Sequence, residues 1–506
     1  MASRQIALTT RVAAAGLGVL VLAPELSLPR SSASAARATD TPSISLPPAF
    51  GEPATTRATQ LKAIDYVEHE FFLEGTAQSY TQRGEWTNDG RWTAAPSANA
   101  PFKVRLLARY PAVPAHFNGI VFVEWLNVSG QSEGDPDFSS LHVELRRSGY
   151  AYVGVGAQNV GINGANGLKK LNAGRYGALS HPGDSYSYDI YSQAGQAIRS
   201  PKGLAPLGAL TPRVRHLLAA GESQSAGRMV TYVNAVHPLV NVYDGFFIHS
   251  RSGGAPPLAQ DAENKPTVPV PVPARIRNDL TVPVIQVQAE TDVPGFIGAR
   301  QPDTDRLRTW ELTGTAHGDR YMLTGGGTRT LSMTCRDADP KLNVPINDGP
   351  MTYPMRAALR HLQGWVTGGA PPPSAVPLVL ANAPASERPL LRRDPTTGIA
   401  VGGVRTPHVD VPVRTLSGIR EPEAGGGFCR LFGKTDEWNG DADPWDGAAI
   451  DPSPTPEPVL SKLYPSKSAY LSKFTDALKK AVAAGFVLGD DTAEITAAAT
   501  RETAVR

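Results

Sequence analysis

The chain has 506 residues, enough for one large catalytic domain with an extension or for two or three smaller domains. Its 49 Lys and Arg nearly balance 47 Asp and Glu, and no basic block stands out, so neither nucleic acid nor an anionic membrane surface is expected as a partner. Apolar content is ordinary for a globular protein, and 49 Gly with 45 Pro predict many loops.

Arg4 and Arg11 flank the start of an apolar run, Val12 to Leu22, and Ala33-Ser34-Ala35 offers a small-x-small cleavage site. The pattern reads as an export signal over residues 1–35. Its apolar core is too short for a comfortable membrane span, so no stable membrane insertion is expected after cleavage. The expected location is extracellular or periplasmic. Residues 36–55, rich in Ser, Thr, Pro and Ala, read as a flexible mature N-terminus. Cys335 and Cys429 are the only two cysteines, and an even count in an exported chain suggests one disulfide.

Two strand-like segments, Tyr66–Leu73 and Phe102–Tyr110, suit an antiparallel entry into a sheet. Ile120 to Leu126 is a near-continuous apolar strand, Phe138 to Arg147 a helix closed by Gly149, and Tyr150 to Val155 the next strand. Strand, helix and strand in this order predict a βαβ unit with parallel, neighbouring strands. Gly154-Val155-Gly156 with Gly161 lacks the full dinucleotide spacing, and no cofactor is expected. Residues 157–186 read as a Gly- and Asn-rich loop, followed by a helix from Asp189 to Arg199.

Val214 to Ala220 is a short apolar run, compatible with a buried strand. Gly221-Glu222-Ser223-Gln224-Ser225-Ala226-Gly227 follows, and Arg228 to Val233 can continue as helix. Further strands are expected at Val242–Ile248, Val282–Gln288 and Thr309–Leu312, and a last core helix at Pro350–Trp365. Residues 251–279 are Gly/Pro-rich with little periodicity, so any lid there is small and loop-like. Lys467 to Ala484 is amphipathic with Gly485 as its cap, and Asp490 or Asp491 caps a final Ala-rich helix. The organisation expected is a catalytic domain over 56–375 and a C-terminal extension over 376–506 packed on it.

A strand, a sharp turn with a central serine and a helix resemble the nucleophile elbow of the α/β-hydrolases. That resemblance implies a mostly parallel central sheet flanked by helices. An alkyl hydroxyl needs a base in reach and a group that orients the base. In this fold the order along the chain is Ser, acid, His, each on a loop after a strand. Ser223 is the candidate nucleophile. Asp292, in Glu290-Thr291-Asp292-Val293-Pro294, is the favoured acid, with Glu290 the alternative. His317 in a Gly-rich loop is the favoured base; His249 is its rival but precedes the acid. The tetrahedral intermediate needs two N–H donors. Gln224, directly after the serine, is one candidate; Leu126 or Asn127 is the other.

Glu124-Trp125-Leu126-Asn127, Ser180-His181-Pro182-Gly183-Asp184-Ser185-Tyr186 and the elbow stretch through Arg228 resemble a bacterial group of α/β-hydrolase domain-containing proteins over most of the mature chain. The resemblance implies a serine hydrolase of esterase type and no particular substrate; a small-molecule ester is expected separately as its partner. The rival readings are an inactive binding protein on the same fold and a lipase or polyester depolymerase. No His-x-x-x-His pair or Cys/His cluster supports a metal, and Asp436, Glu437, Asp441, Asp443 and Asp446 fit no calcium loop. Tyr186, Tyr188 and Tyr191 are expected to wall a pocket with polar handles, favouring short or medium acyl chains.

Overall fold

The structure, a computed structural model, describes residues 41–54, 61–62, 65–260, 267–325, 345–381, 391–419, 427–438 and 460–505. The export signal expected at 1–35, Cys335, Asp441, Asp443 and Asp446 lie outside the described residues.

Among the described residues, ten strands form one sheet. They are β1 (Ser43–Ser45), β2 (Tyr66–Arg83), β3 (Thr93–Pro111), β4 (Ile120–Trp125), β5 (Ala151–Val155), β6 (Lys202–Gly203), β7 (His216–Glu222), β8 (Gly245–His249), β9 (Val284–Ala289) and β10 (Leu307–Leu312). Their spatial order is β10-β9-β8-β7-β4-β5-β3-β2-β1-β6. From β10 to β5 every neighbouring pair is parallel. The pairs β5–β3, β3–β2 and β2–β1 are antiparallel. β2 and β3 run well beyond the segments expected from their apolar residues, because the two extend together as a long hairpin whose outer half is only partly buried.

Among the described residues the longer helices are α1 (Pro136–Arg147), α2 (Ser187–Arg199), α3 (Gln224–Thr231), α4 (Thr352–Val366), α5 (Lys467–Ala483) and α6 (Thr492–Arg501). The strand period of two sends alternate side chains to opposite faces. Val121, Val123, Leu217, Ala219, Phe246 and Ile248 pack with Ile190, Ala194 and Ile198 of α2 and Met229 and Val230 of α3. Phe122, Leu218, Ala220, Phe247 and Val287 pack on the other face with Leu141 and Leu145 of α1 and Leu359 and Leu362 of α4. Central strands covered on both faces therefore read as continuous apolar runs.

β3 carries two wholly buried arginines on one face. Arg105 lies 2.8 Å from Glu133 and 3.2 Å from Glu70; Arg109 lies 2.7 Å from Glu68 and 2.6 Å from Asp135. These pairs tie the acidic loop after β4 to the antiparallel half of the sheet. They also explain two glycines: a Cβ on Gly156 would sit 2.2 Å from Glu133 Oε1, and one on Gly161 would sit 2.7 Å from Glu133 Cγ.

Three expectations are corrected. Residues 157–186 contain short helices at Asn159–Asn163, Leu168–Leu171 and Ala173–Tyr176, each too short for an apolar period to show. Asp491 gives no side-chain cap to α6; it is wholly buried, and its Oδ1 takes Arg147 at 2.6 Å and Arg356 at 2.9 Å. Tyr188 and Tyr191 are core residues whose hydroxyls donate to Pro257 O (3.0 Å) and Val123 O (2.6 Å), so neither is a pocket handle. The described parts of 251–279 contain no helix. Among the described residues no helix is long and apolar enough to cross a membrane, and no group of three or more His, Cys, Asp and Glu forms a metal site.

Candidate active site

β7 ends at Glu222, and Ser223 follows at φ 58 and ψ −120, a conformation few non-glycine residues adopt. Strain of this kind persists only where the surroundings impose it. Here the Ser223 N–H donates to His249 O at 3.0 Å and the Ser223 carbonyl accepts from Gly227 N at 3.1 Å. Gly221 is required by the tightness of the turn, since a Cβ there would lie 2.8 Å from Ser225 O. Ser225 itself is buried against Leu126 O, 3.5 Å from its Oγ. α3 begins at Gln224, so the Gln224 N–H is one of the first-turn donors that have no acceptor inside the helix.

β9 and β10 are parallel to β7, so the loops after all three open on the same edge of the sheet. The loop after β9 turns back at once, Asp292 N donating to Ala289 O at 3.0 Å. The loop after β10 carries His317, whose N–H donates to Thr291 Oγ1 at 3.1 Å. His317 Nδ1 then lies 2.8 Å from Asp292 Oδ1. On the opposite edge of the ring, Nε2 lies 2.9 Å from Glu222 Oε1. Burial alone would lower the pKa of His317, but the two carboxylates outweigh it and hold the ring well above the ordinary histidine range.

Glu290, the alternative acid, points elsewhere. It is wholly buried and accepts from Arg393 at 2.8 Å, Gly418 N at 3.0 Å and Gly314 N at 2.7 Å. Its contacts brace the loop that carries His317 against the C-terminal segment. Of the two acids, Asp292 holds the contact to the histidine.

His249, the rival base, forms a second couple. Its Nδ1 lies 2.9 Å from Asp137 Oδ1, and both side chains are wholly buried. Burial pushes His249 down to about 4, and burial followed by the nearby Glu222 pushes Asp137 well above its usual range. Both shifts favour the uncharged forms of the two side chains. Asp137 in turn sits beside Glu124, which accepts from the N–H groups of Asp137 (2.9 Å) and Phe138 (3.0 Å).

Both candidates for the second N–H donor are already engaged. Leu126 N donates to Val155 O at 3.1 Å and Asn127 N to Gly134 O at 3.0 Å. The Asn127 side chain instead donates to Glu222 Oε2 at 2.8 Å. The structure thus withdraws Leu126 and Asn127 from that role in this conformation.

Two features had no assigned role in the sequence reading. Glu222 lay inside the elbow motif; the available signal was a carboxylate interrupting an apolar strand beside the serine. Arg228 of α3 reaches back to Asp184 at 2.8 Å, and Asp184 also accepts from Asn159 N at 2.9 Å. That contact explains why the elbow stretch and the Ser180–Tyr186 stretch belong together. His181 donates from Nε2 to Ala157 O at 2.9 Å and accepts at Nδ1 from Gly183 N at 3.2 Å, a structural arrangement of the neutral ring.

Comparison with solved structures finds esterases from Rhizomucor miehei at 10% identity, covering 63% of this chain and 93% of that one with a TM-score of 0.30. A serine hydrolase without lid from Xanthomonas campestris is 10% identical, covering 46% and 83%, with a TM-score of 0.26. The rice cell wall degrading esterase LipA from Xanthomonas oryzae is 13% identical, covering 42% and 50%, with a TM-score of 0.22. No curated protein matches. Likenesses this distant carry no assignment. A family model described as an alpha/beta hydrolase domain, however, matches residues 30–497, nearly the whole chain, and the chain belongs to that family.

Proposed function

We propose that the protein is a serine hydrolase that cleaves small or medium carboxylic esters through Ser223, His317 and Asp292. The observation that carries this reading is the 2.8 Å contact between His317 Nδ1 and Asp292 on the sheet edge where the strained Ser223 turn also lies. In the reaction Ser223 Oγ attacks the ester carbonyl while His317 Nε2 takes its proton. Asp292 fixes the ring through Nδ1 and stabilises the imidazolium that forms. The proton passes to the leaving alcohol, and water then hydrolyses the acyl-enzyme by the same steps in reverse order. The Gln224 N–H is one donor to the oxyanion.

The preference for short acyl chains rests on the described parts of 251–279, which offer no helical, amphipathic lid. Activity on a series of p-nitrophenyl esters should be highest at short chains, with no jump on emulsified triglyceride. Interfacial activation on long-chain triglyceride would refute the substrate class. Ser223→Ala should remain folded and lose several orders of magnitude in kcat/KM; near-normal activity in that variant would refute the nucleophile.

The reading includes export by the segment 1–35 and a disulfide between Cys335 and Cys429, the latter buried. Thiol titration of denatured, unreduced protein should find none; two reactive thiols would exclude the bond.

A further inference from the structure

His317 is held from both edges, and the second partner is not part of the Ser, acid, His order. Glu222 Oε1 lies 2.9 Å from Nε2, the nitrogen that must receive the serine proton. Glu222 is itself clamped. Asn127 Nδ2 donates to Glu222 Oε2 at 2.8 Å and to Glu222 O at 3.2 Å. The Asn127 amide is oriented because its Oδ1 accepts from Ser129 N at 2.8 Å. Its backbone is pinned by reciprocal bonds with Gly134, at 3.0 and 2.8 Å.

The titratable groups around His317 come from several elements. Asp292 faces His317 from the loop after β9, and Glu222 from the end of β7. From β8 comes His249, the register partner of Glu222, with Asp137 of α1 behind it. His249 is uncharged near pH 7, so two carboxylates face one ring with no competing cation among these neighbours.

We propose that Glu222 is a positioning residue that holds the Nε2 edge of His317 in the resting enzyme and, clamped by Asn127, sets the pH above which that nitrogen is open to the Ser223 hydroxyl. This rests on the triad reading and deepens it. At rest the ring is the imidazolium, donating to both carboxylates. As the pH rises the Nε2 proton leaves to solvent, and the neutral ring keeps its Nδ1–H on Asp292. Nε2 then accepts the Ser223 proton. When it does, Glu222 and Asp292 together stabilise the cation formed.

The test is the pH profile of kcat/KM on p-nitrophenyl acetate for the wild type and Glu222→Gln, an isosteric change. Removing one carboxylate within ion-pair distance should move the acid limb to lower pH by about 1–3 units. An unmoved limb overturns the proposal. Should Glu222→Gln fail to fold, 15N-histidine spectra of the wild type decide, with His317→Gln supplying the assignment. A doubly protonated His317 ring at pH 7 supports the proposal; a neutral one overturns it. Fluorophosphonate labelling of Ser223 tests the triad separately: labelling with an unmoved acid limb refutes the role of Glu222 alone.

Discussion

Asp292 and Glu290 are two residues apart in sequence, yet only Asp292 touches the histidine, its Oδ1 lying 2.8 Å from His317 Nδ1. Glu290 Oε2 instead accepts from Gly314 N at 2.7 Å, three residues before that histidine. Their substitutions should therefore separate. Asp292→Asn should lower kcat by roughly 10³–10⁴ with little loss of stability, because the ring loses its orienting acceptor. Glu290→Gln should leave the folded enzyme within about tenfold of normal but cost about 3–5 kcal/mol in unfolding, because Arg393 loses its buried partner. Kinetics and denaturant titration on both variants check this; a larger kinetic loss in Glu290→Gln would reverse the roles.

Gly221→Ala tests the elbow without touching any reacting group. The added methyl would meet Ser225 O at 2.8 Å, a backbone atom that cannot swing aside. A cost of about 1–3 kcal/mol is expected, together with a marked fall in kcat, because relief of the clash shifts the turn that aims Ser223. Wild-type stability and activity in this variant would contradict the strained turn.

His237 should make the fold acid-sensitive. Its ring is buried against Phe246, at 5.1 Å between centroids, and neither nitrogen has a hydrogen-bond partner among the described residues. Burial, then Arg277, push it down to about 4. The folded value lies below the unfolded one, so the unfolded chain binds the extra proton first. Stability is then whole above pH 6.5, falls as the pH drops towards 4 and levels off below. The contribution is about 3 kcal/mol. His237→Phe should flatten the pH dependence of unfolding free energy over that window by a comparable amount; an unchanged slope would show that the ring titrates alike in the folded and unfolded chain.

The central strands were legible because each is buried on both faces and so reads as an apolar run. Ser223 was legible because the turn tolerates only small neighbours at 221 and 225. The choice between Glu290 and Asp292 was not, since both carboxylates leave the same strand and only the turn closed by Asp292 N on Ala289 O decides which one faces the ring. Glu222 was hidden because its partner, His317, comes from a strand three positions across the sheet. The couple of Asp137 and His249 was hidden for the same reason, being 112 residues apart. Asp491 read as a cap because local sequence shows the helix it precedes and not the arginines of α1 and α4 that meet it.

The measurement that bears most directly on the proposed function is mass spectrometry of the intact protein after exposure to a fluorophosphonate, with peptide mapping of the adduct. The account predicts one phosphonyl group per chain, on Ser223 and not on Ser225, and slower labelling in Asp292→Asn. An adduct on another residue, or ester hydrolysis that persists with Ser223 unlabelled, would contradict it.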